Sequence, residues 1–542
     1  MENQLFEFFG LLLAFSPLIG CSVRQTGVKE TPLPPSIMPV VFVRGTEYEM
    51  GCQYGLQLGP SIELIKNEEW VRALMTFNGK KDEILKELKA CQYYVKKYAP
   101  EQIDRMKGMA DGATQAGYPM TFADILLINA RVHKTGQGAQ TPSLVEDLGG
   151  GCSVWAAWGK ATKDGSLIVG DSKDDVYTYQ VVTVAFPKKG NNYITTGRPG
   201  ELSQHSSINS RGLHVGANGT SGEREMDRTF GLPYSCALLR LVQFADRAAE
   251  AKERVLSWDL YWIRGLNFNL VDEDGHAFCV ETAGAQKEVR ESGDLGEEDF
   301  IYSTNVYLTE KMKPLDIGSK MMYLKNSPSR NEQLHSFLSR YHGEIDLDFA
   351  EMMWRNPGYG KIGNLANHRI VISSLKKGDR KRAYFCTGTA SKEAYPAFAG
   401  GCGPFPGGID NPDRLGHSYL IAPTYSFYNL TLASNPAEVV ESAADAAHDV
   451  HAMAFRELSK LNYSSPGYAV LNGLFSESVA EYYRGKVSEN KGILAEENPA
   501  LSYFSEAATA YVRAQALGLQ VYHALVPPAT TPQDLGLTPI SP

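Results

Sequence analysis

A mixed α and β fold, helical at both ends and strand-rich in the middle, is what this sequence predicts. Three observations carry it. After one strand-like run, residues 40–146 place apolar side chains at helical spacing. Residues 152 to about 425 are dominated by short runs of β-branched and aromatic residues that end in turn signals. From about 430 the helical period returns.

The first block opens with "MPVVFVRGT", a strand. "EYEMGCQYGLQLGPSIELI" then starts a helix interrupted by small residues, whose glycines permit close backbone approach. "KKDEILKELKACQYYVKKYA" and "EQIDRMKGMADGATQAG" follow as amphipathic helices. "TFADILLINARV" reads as a capped helix, with Thr121 before the apolar run and Asp124 three residues on. In the centre, "SLIVGD", "YQVVTVAF", "YITTG", "GLHVGAN", "NFNLVDEDGHAFCVET", "HRIVISSL" and "RAYFCTGTA" are strands, joined largely by antiparallel hairpins. "SCALLRLVQFADRAAEAKERVLS" and "SRNEQLHSFLSRYHG" are helices between them. In the last block Asn435 caps a helix with Pro436 at its first position, and "SEAATAYVRAQALGLQVYHALVPP" is a helix stopped by prolines. The final residues, 528–542, read as a disordered tail.

With 542 residues, 43% hydrophobic and 21% charged, the chain has ample material for a core. A net charge of −9 without a long basic run argues against a nucleic-acid partner. The eight cysteines include no C-x-x-C pair and no His/Cys cluster at metal spacing, so neither metal nor cofactor is expected. His448 and His451, three apart on one helix, read as surface histidines rather than ligands.

The N-terminus carries "FFGLLLAFSPLIGC", an apolar run of signal-peptide length rather than a membrane span. Its end, "LIGC", resembles a bacterial lipobox. That implies a signal peptide over 1–20, lipid on Cys21, a Pro-rich tether over 21–39, and a cell-envelope lipoprotein touching the membrane through its anchor alone. The n-region "MENQLFE" departs from the pattern, having two glutamates and no basic residue.

The chemistry concentrates at "DLGGGCSVWAAWGKATKDGSLIVGDSKDD". Gly149, Gly150 and Gly151 suit neither helix nor strand. They deliver Cys152 to the start of a strand whose hairpin partner begins after "KDG". By itself this describes a loop and a buried cysteine. Taken with what surrounds it, it resembles the cysteine N-terminal-nucleophile (Ntn) hydrolases, most of all the penicillin acyltransferase-like family. The resemblance runs from about 40 to 400 and includes "RGTEYEMGCQYG" upstream, which looks like that family's pro-segment.

The resemblance implies a four-layered αββα sandwich. It divides the chain into a helical pro-segment or α subunit (40–151), a catalytic β subunit (152–428) and a helical extension (429–527) that it does not cover. It implies scission between Gly151 and Cys152 with the two products held as an αβ heterodimer. Cys152 is then the nucleophile and its freed α-amine, with a reference pKa of about 7.7–8.0, the base. Asp174, four residues after Gly170, would orient them, with Asp175 as runner-up. "NSRGLHVGANGTS" supplies Asn218 and "IYSTNVYL" supplies Asn305, the two oxyanion or substrate amides. "SPSRNEQL" supplies Ser329 and Arg330. Bile-salt and ceramidase-type relatives carry arginine one residue after that glycine. Here it is Asp171, which detaches this chain's substrate from theirs.

The expected activity is hydrolysis or transfer of an acyl group from a small-molecule amide through a thioester on Cys152. The alternatives are a lipid amidase or esterase of ceramidase or phospholipase B-like type, and a non-catalytic surface lipoprotein. A papain-like protease would need His205 or His368 as partner.

Overall fold

The computed structural model describes residues 37–132, 152–174, 180–220, 230–261, 265–316, 327–356, 367–387, 427–465 and 467–538. Cys21, Gly151, Asp175 and Cys402 lie outside them, as does the side chain of Asp174.

The first described strand, β1 (Val40–Gly45), is followed by four helices: α1 (Glu47–Thr76), α2 (Lys81–Tyr98), α3 (Glu101–Gln115) and α4 (Phe122–Ala130). Helix α1 is not interrupted, since Pro60 lies inside it. Its glycines do what their spacing implies. A Cβ on Gly51 would sit 2.2 Å from the Arg105 carbonyl, one on Gly55 2.3 Å from that of Met109, and one on Gly112 2.1 Å from that of Cys52. Helices α1 and α3 therefore touch backbone to backbone, a separation only glycine allows. Thr121 and Asp124 form the expected capping box on α4.

The central strands are β2 (Ser153–Gly159), β3 (Gly165–Asp174), β4 (Val181–Pro187), β5 (Tyr193–Gly197), β6 (Ser207–Asn209), β7 (Leu213–Gly219), β8 (Leu232–Pro233), β9 (Leu260–Tyr261), β10 (Leu266–Asp272), β11 (Ala277–Ala283), β12 (Gln286–Glu291), β13 (Phe300–Ser303), β14 (Asn367–Leu375), β15 (Lys381–Thr387) and β16 (Tyr428–Leu432). They build an eight-stranded sheet, β1-β4-β5-β6-β7-β10-β11-β12, and a six-stranded one, β13-β2-β3-β14-β15-β16. Within these two sheets all neighbours are antiparallel except β1 and β4, which run parallel, and β8 and β9 form a separate parallel pair.

Period-two alternation then sorts the side chains. Val40, Phe42, Val182 and Val184 of the larger sheet share one apolar cluster with Val154, Leu167, Val169 and Val371 of the smaller. The other face of the larger sheet, with Val215 and Ala217, packs under α1 to α4 and under α5 (Tyr234–Phe244) and α6 (Ala248–Ser257). The other face of the smaller sheet, with Trp155, Ile168 and Ile370, packs under α7 (Ser327–Arg340) and α8 (Leu347–Arg355).

Three expectations need correction. The helix read across 235–257 is two, α5 and α6, because Asn209 Nδ2 holds the Ala245 carbonyl at 2.9 Å and Asp272 Oδ2 caps α6 through the Ala248 amide. The tail is not disordered throughout. Residues 528–538 carry a capped 3-10 turn and dock Ala529, Leu535 and Leu537 on the α7–α8 cluster, and Tyr341 donates to the Thr538 carbonyl at 2.8 Å. The boundaries at 39 and 428 also shift: Met38 is already buried, and β16 runs through 428 into the region assigned to the extension.

That extension is α9 (Pro436–Leu458), α10 (Tyr468–Leu494) and α11 (Glu497–Leu525). Helix α10 was not legible as an element. His451 is half-buried rather than on the surface, sharing a 2.7 Å hydrogen bond with Ser478 of α10. Helix α11 serves both sheets. Ser505 Oγ accepts from the Phe42 amide at 2.9 Å and Thr509 Oγ1 from the Val40 amide at 3.0 Å, on edge strand β1. Gln515 Oε1 accepts from the Asn429 amide at 2.9 Å, on edge strand β16. One helix thus covers one edge of each sheet.

Candidate active site

Cys152 immediately precedes β2 and is 3% exposed. Ser153 pairs with Ser172 of β3, and Ser172 with Ile370 of β14. One residue further along, Lys173 pairs with Arg369, so Cys152, Lys173 and Arg369 stand level on three adjacent strands. They continue the parity of Val154, Val169 and Val371, which face the other sheet.

Arg330 reaches this point from the first turn of α7. Its guanidinium is fully buried. Nη1 donates to the Cys152 carbonyl at 2.7 Å and to Ser153 Oγ at 2.7 Å, and Nη2 donates to Asn305 Oδ1 at 2.8 Å. The planar fork lets one side chain hold three acceptors at once.

Asn305 and Asn218 brace each other's strands. Asn305 Nδ2 donates to the Gly219 carbonyl at 2.6 Å, and Asn218 Nδ2 donates to the Thr304 carbonyl. Asn218 Oδ1 in turn accepts from Asn269 Nδ2 and Ser303 Oγ, each at 2.8 Å. Of the residues named from sequence, Cys152, Arg330, Asn305 and Asn218 are therefore brought into one hydrogen-bonded group. Ser329 is not. It is exposed on α7 beside Gln333, since a helix that turns Arg330 inward turns its neighbour out. Asp174 ends β3 opposite Asn367.

Asp171 lies one pleat behind Lys173, opposite Val154, and is 1% exposed. Its Oδ2 accepts from the Ser206 amide at 3.1 Å, and its Oδ1 is 3.9 Å from Nδ1 of His205, a residue at positive φ.

Sequence reading missed Arg369, Lys173, and the buried ion cluster below them. Arg369 donates to Gln180 Oε1 at 2.9 Å and to the Gln204 carbonyl at 3.1 Å. Burial pulls its pKa down, while Asp171 and Cys152 oppose the shift. Arg198 joins Glu69 at 2.7 Å to Glu201 at 2.9 Å, and Arg131 also pairs with Glu201. Burial works against the Glu201 anion, but the two arginines prevail and hold its pKa at about 2. The signal for Arg369 was a cation at the parity of Val371, two residues before it, in a strand whose centre is the apolar run Ile370–Ile372. Arg198 and Glu201 lie in an irregular segment, where spacing says nothing.

Among the described residues no group of His, Cys, Asp and Glu could hold a metal ion, and no helix is long and apolar enough to cross a membrane.

No family model matches the chain. An uncharacterized protein of Archaeoglobus fulgidus is 24% identical over 373 residues, 62% of this chain and 61% of that protein, so the chain spans about three fifths of the relative it matches. Among solved structures, a variant of conjugated bile acid hydrolase from Clostridium perfringens gives a TM-score of 0.28 at 13% identity, covering 43% of this chain and 89% of that one. Penicillin V acylase from Agrobacterium tumefaciens gives 0.24 at 11% identity, covering 44% and 83%. These likenesses are partial, and no assignment rests on them.

Proposed function

We propose that this chain is a cysteine Ntn amidohydrolase or acyltransferase of the penicillin acyltransferase-like kind, with a four-layered αββα core, activated by scission between Gly151 and Cys152. The observation that carries the reading is the grip of Arg330 on Cys152, Ser153 and Asn305. A fully buried guanidinium holding the carbonyl of the cysteine itself suits a residue whose backbone must stay put after its own peptide bond is cut.

In this reading the freed α-amine takes the thiol proton, and the thiolate attacks the amide carbon of the substrate. The tetrahedral intermediate expels the amine, which leaves with the proton returned from the Cys152 ammonium. Water or an acceptor amine then resolves the thioester on Cys152. Lys173 and Arg369, level with the cysteine, favour the thiolate over the thiol. Asn218 and Asn305 supply the oxyanion donors in this reading, each worth about 2.7–4 kcal/mol in reference cases. Asp174 or Asp171 orients the ammonium. Export on a lipid at Cys21 rests on "LIGC", and fatty-acid labelling lost in Cys21→Ser tests it.

The test of function is a panel of acyl amides that includes lipid amides, offered to the wild type and to Cys152→Ala. Amide turnover with a trapped thioester in the wild type alone supports the reading. Turnover by both proteins contradicts it.

A further inference from the structure

The second half of helix α10 is built inside out. The first half packs Leu471, Leu474 and Phe475 inward in the ordinary way, but from Ser478 on the buried positions are Ser478, Glu481, Gly485, Ser488 and Gly492, with Tyr482 half-buried beside them. Gly485 lies under Tyr511 and Gly492 under Phe504, at distances that a Cβ would violate. Its outward face carries the large apolar side chains. Tyr483 is 64% exposed, Val487 55%, Ile493 63% and Leu494 87%. A helix packed on one side alone shows the reverse pattern.

The outward positions also have a period. Gly473, Ser476, Ala480, Tyr483, Val487, Asn490 and Leu494 alternate steps of three and four, and every one is exposed. That is the heptad spacing of a helix-pairing seam. Gly473 is a mid-helix glycine with nothing within 4 Å of where its Cβ would stand. Such a glycine costs roughly 0.5–1 kcal/mol relative to alanine, and no contact with the described residues accounts for it.

Sizes along the seam identify what covers it. The first half is small and the second half large. We infer that the outward face of α10 pairs, antiparallel and two-fold, with the same face of a second copy of this chain. Antiparallel pairing lays Ala480 against Tyr483 of the second copy, Ser476 against Val487 and Gly473 against Asn490. Each small residue meets a larger one, twice by symmetry. The flanking charges agree. Glu477 and Arg484 fall beside each other across the same seam, again twice; Arg484 is exposed and also holds Glu481 of its own helix at 2.5 Å. The seam spans 21 helical steps from Gly473 to Leu494, about 32 Å at 1.5 Å per residue. Phe455, 60% exposed on α9, stands against Phe475 of α10 with ring centroids 5.9 Å apart.

The test is self-association of the full chain, measured by sedimentation velocity across a concentration series. The wild type should dimerise, and Val487→Glu should weaken the dimer at least tenfold with unchanged circular dichroism. Glu477→Arg and Arg484→Glu should each weaken it, and the double charge swap should restore it. The double swap distinguishes a specific seam from general stickiness and from misfolding. A wild type monomeric at all concentrations overturns the inference. So does a dimer insensitive to Val487→Glu, a double swap that does not recover, or a monomer that instead binds phospholipid vesicles through this face.

Discussion

Arg330 holds Cys152 across 178 residues of sequence, its Nη1 2.7 Å from the cysteine's own carbonyl oxygen. The contact ties the first turn of α7 to the residue on which the proposed chemistry depends, and the same nitrogen also holds Ser153 Oγ.

Arg330→Lys keeps the charge but loses the fork, so Cys152, Ser153 and Asn305 can no longer be held together. Turnover should fall by about 10² or more, as for other small misplacements of reacting groups. Arg330→Ala should also cost stability, about 1–3 kcal/mol, because it leaves the Cys152 carbonyl, Ser153 Oγ and Asn305 Oδ1 without their buried donor. Steady-state rates and urea melts on the two variants read these effects separately. Near-normal turnover in Arg330→Lys would show that the fork is dispensable.

The two products should remain together after scission. Strand β1 belongs to the larger sheet, with Val40 opposite Val182 and Phe42 opposite Val184. The upstream helices share one apolar cluster with β7 and α5. Parting them would expose that cluster and leave β4 as a bare edge. Gel filtration of cleaved protein without denaturant should give one peak containing both fragments, and two peaks would contradict this.

Ser505→Ala should destabilise by about 1–3 kcal/mol, since it strands the buried Phe42 amide on the edge of β1. Chemical denaturation compares it with Ser336→Ala, an exposed position on α7. Equal stability of the two variants would mean that water replaces the hydroxyl.

Burial pushes the His214 imidazole down to about 3, and that of His523 to about 4. Both folded values lie below the unfolded value near 6.5, so the unfolded chain takes up protons first. Their contribution is intact above about pH 6.5 and is lost as pH falls through the window below it. Each group adds at most about 1.36 kcal/mol per pH unit to that slope. His214→Gln should flatten the loss between pH 6.5 and 5 in urea melts. An unchanged slope would show that His214 is protonated in the folded protein.

Much of this was legible before the structure. Strands such as "GLHVGAN", with apolar residues at every second position, and caps such as Thr121–Asp124 are local features, and local features survive folding. The glycines of α1 announced a close approach, though not that α3 would be the partner. What could not be read was set by tertiary contact. Asn209 and Asp272 break 235–257 into two helices from a distance. Helix α10 hid because its second half inverts the amphipathic pattern. The short motifs that named Cys152, Asn218, Asn305 and Arg330 come together in the fold, whereas Ser329, named by the same motif as Arg330, lies on the exposed side of α7, because a motif gives neighbours in sequence and not the face of a helix. Arg369 was missed because its alignment with Cys152 exists only in the register of three strands.

The most direct measurement is intact mass with N-terminal sequencing of purified wild type and Cys152→Ala. The account predicts two chains in the wild type, one of them beginning at Cys152, and a single inactive chain in the variant. A wild type that stays one uncleaved chain while fully active would contradict it.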